Sequence, residues 1–324
     1  MRDFSKARRV VVKVGSSTLT HESGLLNIRR VEQLVKVLAD IENSGRQVVL
    51  VSSGAMAVGV GKLGLHEKPA DMPGKQAVAA IGQCELMYIY DKHFSEYNHV
   101  TSQVLLTRDV VDDPMRKRNV QNTFERLLGL GTIPIVNEND TVCTEEIEHA
   151  ATFGDNDTLS ATVAELAGAD LLVILSDIDG LYDGDPRENP GAKLLHEVDE
   201  ITPEIEACAA GAGSARGTGG MITKLHAAGL ATAAGIDMVI MNGAQPKKLY
   251  DLFENAEIGT YFPAAKRTPP SKGGGADEQP DRNRKTRPRG VPRARVHDHG
   301  AAERGPYRDR RGARGERGGG AGRE

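Results

Sequence analysis

RRVVVKVGSSTL (residues 8–19) decides the fold. Val10, Val11, Val12 and Val14 form the unbroken β-branched run of a strand covered on both faces of a parallel sheet. Lys13 interrupts the run, and Gly15-Ser16-Ser17-Thr18 follows at once. A buried ammonium is costly without an anion to receive it. A glycine and three hydroxyl residues beside it let backbone N–H groups approach a phosphate. Two readings stand at this point: a lysine that reaches solvent where its strand ends, and a lysine aimed at an anion.

Further apolar runs of the same kind recur at 47–52, 99–106, 132–137, 171–176 and 237–242. Longer helical patterns separate them. In 27–45, Ile28, Val31, Leu34, Val35 and Leu38 share one face and Gly45 closes the pattern. Residues 73–97 and 115–128 read alike, and 156–170 starts from Asx capping residues. Strand–helix alternation predicts an α/β fold, a three-layer α/β/α sandwich around a mainly parallel sheet. Ligands of such folds bind at the carboxyl ends of the strands. Those ends carry Gly15-Ser16-Ser17, Ser52-Ser53-Gly54, Asn137-Glu138-Asn139-Asp140, Ser176-Asp177 and Asn242-Gly243.

The net charge of −4 hides two unlike parts. From Lys266 on lie 17 of the 41 Lys and Arg but only 8 of the 45 Asp and Glu, so a basic tail follows an acidic body. The acidic body argues against nucleic acid as its main ligand. Residues 271–324 hold only Val291 and Val296 from the set Val, Ile, Leu, Met and Phe. Such a segment buries too little apolar surface to offset its ordering entropy and is expected to be disordered. The division is therefore a folded body over 1–265 and an Arg/Gly-rich tail over 266–324. Cys84, Cys143 and Cys208 are odd in number and far apart, which fits reduced thiols and neither a disulfide framework nor a zinc site. The N-terminus lacks a signal-peptide apolar region, and no stretch of about 18 apolar residues could span a bilayer. A soluble, cytoplasmic protein is expected.

Two nucleotide signatures fail. GVGKLG (59–64) matches G-x-G-x-x-G but follows the helix-like AMAV instead of a strand, and no P-loop pattern occurs. Two other stretches carry chemistry. In FGDND (153–157) two aspartates flank an asparagine at the mouth of a helix. An N-terminal cap needs one such residue, and three leave groups for a ligand. In GTGGMITK (217–224) a glycine loop opens a helix whose first turn holds Lys224, where a cation opposes the helix dipole. A polyanion held between loop and lysine explains both features better than the alternative, a plain surface lysine.

KVGSS (13–17), VSSGAMAVG (51–59), NENDTV (137–142), FGDNDTLSA (153–161), SDIDGLYDGDPR (176–187) and GTGGMITKLHAA (217–228) resemble the signature segments of the glutamate 5-kinases, enzymes of the amino acid kinase superfamily. The resemblance covers roughly residues 8–262. The GLYDGDPR segment fixes only the superfamily, while VSSGA, NENDTV and FGDNDTLSA point to glutamate as acceptor. The resemblance implies transfer of the γ-phosphoryl of ATP, carried with Mg2+, to the γ-carboxylate of L-glutamate, the first step of proline synthesis. It implies that Lys13 and Lys224 contact the phosphoryl group from opposite sides and that Asp157 holds the two ammonium groups. It places Ser53, Asp140 and Asn156 at the glutamate, and Lys13, Ser176, Asp177 and the loop Thr218, Gly219, Gly220, Met221, Ile222, Thr223 and Lys224 at the nucleotide. It assigns no direct metal ligand. A homo-oligomer and hand-over of the product to a glutamate-5-semialdehyde dehydrogenase come with it.

Many members carry a compact C-terminal domain of the PUA type, for which SKGGGADEQPDRNRKTRPRG (271–290) has no strand pattern. The rival readings are a sibling kinase acting on another carboxylate, carbamate or nucleotide, and an RNA-binding protein acting through its basic tail.

Overall fold

The computed structural model describes residues 2–21, 25–142, 155–210 and 220–265. Its first compact unit runs from Met1 to Pro269, and the tail of the sequence reading lies outside the described residues. The strands are β1 (Arg9–Val14), β2 (Gln47–Ser52), β3 (Val100–Leu106), β4 (Thr132–Glu138), β5 (Leu171–Ser176), β6 (Asp237–Asn242) and β7 (Thr260–Phe262). The helices are α1 (Ser16–Leu19), α2 (Ile28–Asn43), α3 (Ala55–Leu63), α4 (Met72–Ser95), α5 (Asp109–Asp112), α6 (Pro114–Gly129), α7 (Asn156–Leu166), α8 (Pro203–Ala210), α9 (Met221–Ala233) and α10 (Lys248–Phe253). Among the described residues no helix is long and apolar enough to cross a membrane.

Six strands lie where the apolar runs predict them, in one sheet of order β3-β4-β2-β1-β5-β6-β7. All neighbours pair in parallel except β6 and β7. The antiparallel β7 has no counterpart in the sequence reading, because three residues are too short to show a period. Two layers of helices cover the sheet, as the α/β/α expectation requires. Val10, Val12 and Val14 pack with α2, α3, α4 and α10, while Val11 packs with α6, α7, α8 and α9. Side chains of a strand alternate between faces. Lys13 therefore shares the face of Val11, toward α7 and α9. The same alternation sends Ser52 toward α4 and Ser53 toward α7.

β1 is the point where the connections divide, with β2 on one side and β5 on the other. In open α/β sheets such a switch point leaves a crevice beyond the carboxyl ends of the strands. Lys13 and Gly15 sit at that crevice. The turn out of β2 passes through Gly54 at φ +103, a conformation open to glycine and strained for other residues. The six-residue glycine pattern of 59–64 proves to be the end of α3 and its left-handed cap. A Cβ at Gly59 would come within 2.1 Å of the Val78 carbonyl oxygen, so that glycine serves helix packing. Ile28, expected on the buried face of α2, is 58% exposed. It occupies the first helical position, where the chain has not yet turned onto the core.

Candidate active site

A cavity of about 290 Å³ opens at the carboxyl ends of the central strands. Lys13, Ser53, Asp140, Asn156, Asp157, Ser176, Asp177 and Lys224, all named from the sequence, line it. Gly15, Ser16 and Ser17 line it too, as the start of α1 directly after β1.

Its centre is a carboxylate gripped by two lysines. Lys13 Nζ donates to Asp157 Oδ1 at 2.5 Å, and Lys224 Nζ donates to Asp157 Oδ2 at 3.0 Å. Thr223 Oγ1 also reaches Oδ2, at 3.0 Å. Lys13 and Lys224 are each 7% exposed and Asp157 is 1% exposed. Of the two readings of Lys13, the solvent-reaching one is excluded by this burial. Burial pushes the Asp157 carboxyl up, but the two ammonium groups and their hydrogen bonds outweigh it and hold the group below the usual carboxylate range. Two ammonium groups thus meet one carboxylate in a largely dry place, an arrangement whose charge-assisted donors suit an anion.

The three polar residues at the mouth of α7 divide their work. Asp155 is the cap, accepting from Thr158 N at 2.8 Å. Asp157 takes the lysines. Asn156 turns to the other half of the cavity, where its Nδ2 donates to Ser53 Oγ at 2.7 Å and to Asn137 Oδ1 at 3.2 Å. Asp140 stands in a short 3-10 turn after β4. Burial raises its carboxyl, and among the described residues no cation pairs with it.

Ser176 and Asp177 close the cavity at the end of β5, with Ser176 Oγ 3.3 Å from Asp177 Oδ1. Of the predicted nucleotide loop, Thr218 and Gly219 lie outside the described residues. Gly220 caps α9, Met221 is buried in the core and Ile222 is 57% exposed, and none of these three lines the cavity. Thr223 enters through its bond to Asp157.

Asn137 and Lys68 are among the lining residues to which the sequence reading gave no role. Asn137 was quoted only within a strand end and a motif, although it is 4% exposed and bonded on both sides. Lys68 sits in the connection between α3 and α4, where GLHEKP carries no pattern that marks a site.

Residues 8–242 match the amino acid kinase family. A glutamate 5-kinase of Clostridium perfringens is 60% identical over 260 residues, which is 80% of this chain and 97% of that protein. The chain belongs to the glutamate 5-kinase family. A second relative, the glutamate 5-kinase of Listeria welshimeri, is 53% identical over 263 residues, 81% of this chain and 95% of that one. Because these family members are matched over almost their whole length, they hold little beyond the part they share with this chain.

Solved structures of lower identity share the fold. The carbamate kinase of Giardia lamblia bound to AMP-PNP superposes with a TM-score of 0.57 at 18% identity, covering 81% of this chain and 100% of that one. An isopentenyl phosphate kinase of T. acidophilum gives 0.54 at 19%, covering 78% and 99%.

Proposed function

We propose that the chain transfers the γ-phosphoryl group of ATP to the γ-carboxylate of L-glutamate, forming L-glutamyl 5-phosphate and ADP, the first step of proline biosynthesis. The family supports this reading, and the observation that carries it is the Lys13–Asp157–Lys224 triplet. Phosphoryl transfer asks a protein for positioning and charge neutralisation more than for covalent help. Lys13 comes from the central strand and Lys224 from the first turn of α9, so the two ammonium groups approach a transferring group from different elements. Asp157 holds both before the phosphates arrive, which removes the cost of gathering them during reaction.

The nucleophile is a carboxylate and is already ionised at neutral pH. No general base is needed, which suits a cavity of lysines, acids and amides. Nucleophilic attack by a γ-carboxylate oxygen on the γ-phosphorus forms the new P–O bond as the bond to the ADP oxygen breaks. Mg2+ travels with the nucleotide and neutralises its phosphate oxygens. Ser176, Asp177 and the loop Thr218–Lys224 form the nucleotide side of this reading. A neighbour of the same fold, the Giardia lamblia carbamate kinase, was solved with AMP-PNP.

Ser53, Asp140 and Asn156 form the acceptor side. Asp140 supplies a partly desolvated carboxylate without a cation beside it among the described residues, and an α-ammonium group is such a cation. The acyl phosphate product is labile, and the reading includes a homo-oligomer that hands it to a glutamate-5-semialdehyde dehydrogenase.

Glutamate-dependent ADP release, with the acyl phosphate trapped as its hydroxamate, tests the assignment. Turnover with glutamate and none with aspartate or UMP is expected. Preference for either of the other two would replace glutamate by the sibling acceptor.

A further inference from the structure

The acceptor half of the cavity is held by a chain of side-chain amides whose polarity is settled by the backbone. Asn137 Oδ1 accepts from the backbone N–H of Glu138 at 2.9 Å. That group can only donate, so the carbonyl end of Asn137 must face it. The same oxygen then accepts from Asn156 Nδ2 at 3.2 Å. Asn156 Nδ2 also lies 3.5 Å from the carbonyl oxygen of Ser52, which can only accept. With its two amide hydrogens directed at Ser53 and Asn137, and the Ser52 carbonyl oxygen on the same side, Asn156 has its Oδ1 at the other end of the amide, and the residue lines the cavity.

One group remains to be satisfied, the amide nitrogen of the buried Asn137. It donates to Gln83 Oε1 at 2.9 Å. Gln83 lies on α4 and is not part of the cavity wall. Its position is fixed by the residue before it. A Cβ at Gly82 would lie 1.7 Å from the carbonyl oxygen of Ala55, so α4 and the start of α3 are in backbone contact at that point. Ala55 follows Ser53 by two residues. The helix that carries Gln83 is thus seated against the turn that carries the acceptor-side serine.

We propose that Gln83 is a positioning residue which, together with the Glu138 backbone N–H, locks the Asn137–Asn156 pair in the polarity that offers Asn156 Oδ1 to a protonated amine in the cavity. The inference rests on the proposed reading of the cavity as the site of an amino-acid dicarboxylate, and it names what makes that site choose the amine. Asn156 Oδ1 and the Asp140 carboxylate then both accept, and nothing in this pair offers a competing N–H to the ammonium group. A dicarboxylate without the amine gains nothing from the arrangement.

Three substitutions separate polarity from bulk. Gln83→Glu keeps an acceptor, Gln83→Leu removes it, and Gln83→Lys replaces it by a donor. For Gln83→Leu the KM for glutamate is expected to rise about tenfold, the order of one buried hydrogen bond left unmade. The kcat and the KM for ATP should change by less than about twofold, since uniform ground-state binding is what is lost. Gln83→Glu should stay near the full chain's own value, and Gln83→Lys should exceed Gln83→Leu.

The second readout is glutarate, the same dicarboxylate without its amine, measured as a competitive inhibitor against glutamate. Its inhibition constant should be the same in all four proteins. An unchanged KM in Gln83→Leu, an equal rise in Gln83→Glu, or a parallel loss of glutarate binding would each overturn the proposal. Should Gln83→Leu fail to fold, Gln83→Glu against Gln83→Lys carries the same comparison. Absence of glutamate-dependent ADP release from the unaltered chain would overturn the underlying reading as well, whereas an active chain with any of the former outcomes overturns the role of Gln83 alone.

Discussion

Asp157→Asn is the most severe test of the triplet, because it keeps the shape of the side chain and removes its charge. One ammonium sits 2.5 Å from one carboxylate oxygen and the other 3.0 Å from the second, so the carboxylate holds two like charges close together. Unit charges at a separation of about 5 Å repel by about 3 kcal/mol at an effective dielectric of about 20. Asparagine removes the negative charge that Asp157 sets against that repulsion between two nearly buried lysines. Breaking a buried ion pair by removing one partner costs about 3–5 kcal/mol. In a folded body of this size each kcal/mol moves Tm by about 2–4 °C, so the variant should melt roughly 10 °C lower.

The electrostatic origin of that loss makes it conditional. Saturating ATP should return most of the Tm deficit, since its phosphates supply the missing negative charge, and the ATP-induced rise should exceed that of the unaltered chain. The sign of the pH dependence follows from the carboxyl being held below its ordinary value. The stabilisation from Asp157 is complete above the unfolded carboxylate range near about pH 4 and is lost as pH falls through the lower folded value. The deficit of the variant should therefore be constant from neutral pH down to about pH 5 and narrow only in stronger acid. Calorimetry with and without ATP reads all three quantities. A Tm equal to that of the unaltered chain, or a deficit indifferent to ATP, would refute the triplet as an anion site.

Lys13→Ala and Lys224→Ala should each lower kcat by about 10²–10³-fold with smaller changes in the KM for glutamate, the size of a deleted transition-state donor; steady-state kinetics with an unchanged kcat would remove that lysine from the chemistry. Ser53→Ala and Asp140→Ala should instead raise the KM for glutamate while leaving the KM for ATP nearly unchanged. Collapse of ATP affinity with glutamate affinity intact would exchange the two halves of the cavity. Burial lifts the carboxyl of Glu42 to about 7, and the group accepts from Val48 N at 2.6 Å. An acid raised on folding costs stability as pH climbs through its folded value, so Glu42→Gln should raise Tm at pH 8, with the gain vanishing near pH 5; equal melting curves at pH 8 would contradict this. A chain ending at Thr268 should keep turnover within a few-fold of the full length, because every strand and cavity residue among the described residues precedes that point. Loss of cooperative unfolding on that truncation would make the tail structural.

What could be read ahead of the structure follows a physical dividing line. Lys13 was legible because a charge inside a valine run breaks a local pattern, and strand alternation even sets the face it takes. The Asp155–Asn156–Asp157 cluster was legible as an excess over what one cap requires. The face-sharing of Ile28 was misjudged because a helical period does not show where the helix first meets the core. β7 was missed because its place depends on partners elsewhere in the chain. Its Tyr261 N–H donates to the His196 carbonyl oxygen, and Met238 pairs with Phe262 across the ladder. Gln83 was missed for a related reason. Its partner Asn137 lies 54 positions away, and an isolated glutamine on a helix carries no sign of what it will meet.

The two kinds of site residue also differ in what a sequence can say about their function. In the proposed reading Lys13, Asp157 and Lys224 act through charge, and charge type is written in the residue name. Asn137 and Asn156 are there proposed to act through orientation, since an amide offers a donor at one end and an acceptor at the other. Which end faces the ligand is decided by backbone groups of fixed polarity, the Glu138 N–H and the Ser52 carbonyl. Those groups acquire their positions only when β2, β4 and α7 converge at the end of the sheet. A bound polyanion could thus be inferred from residue types in order along the chain, and phosphoryl transfer to glutamate from the family resemblance that they carry. The proposed polarity of the amide pair, by contrast, depends on the register of β4 beside β2, Leu50 with Ile135 and Val51 with Val136, and on the seating of α4 through Gly82. A one-residue slip of β4 would carry Asn137 to the opposite face of the sheet and away from Gln83. The lysines would still hold Asp157, but the cavity would lose the amide arrangement proposed to favour an amino acid over a plain dicarboxylate.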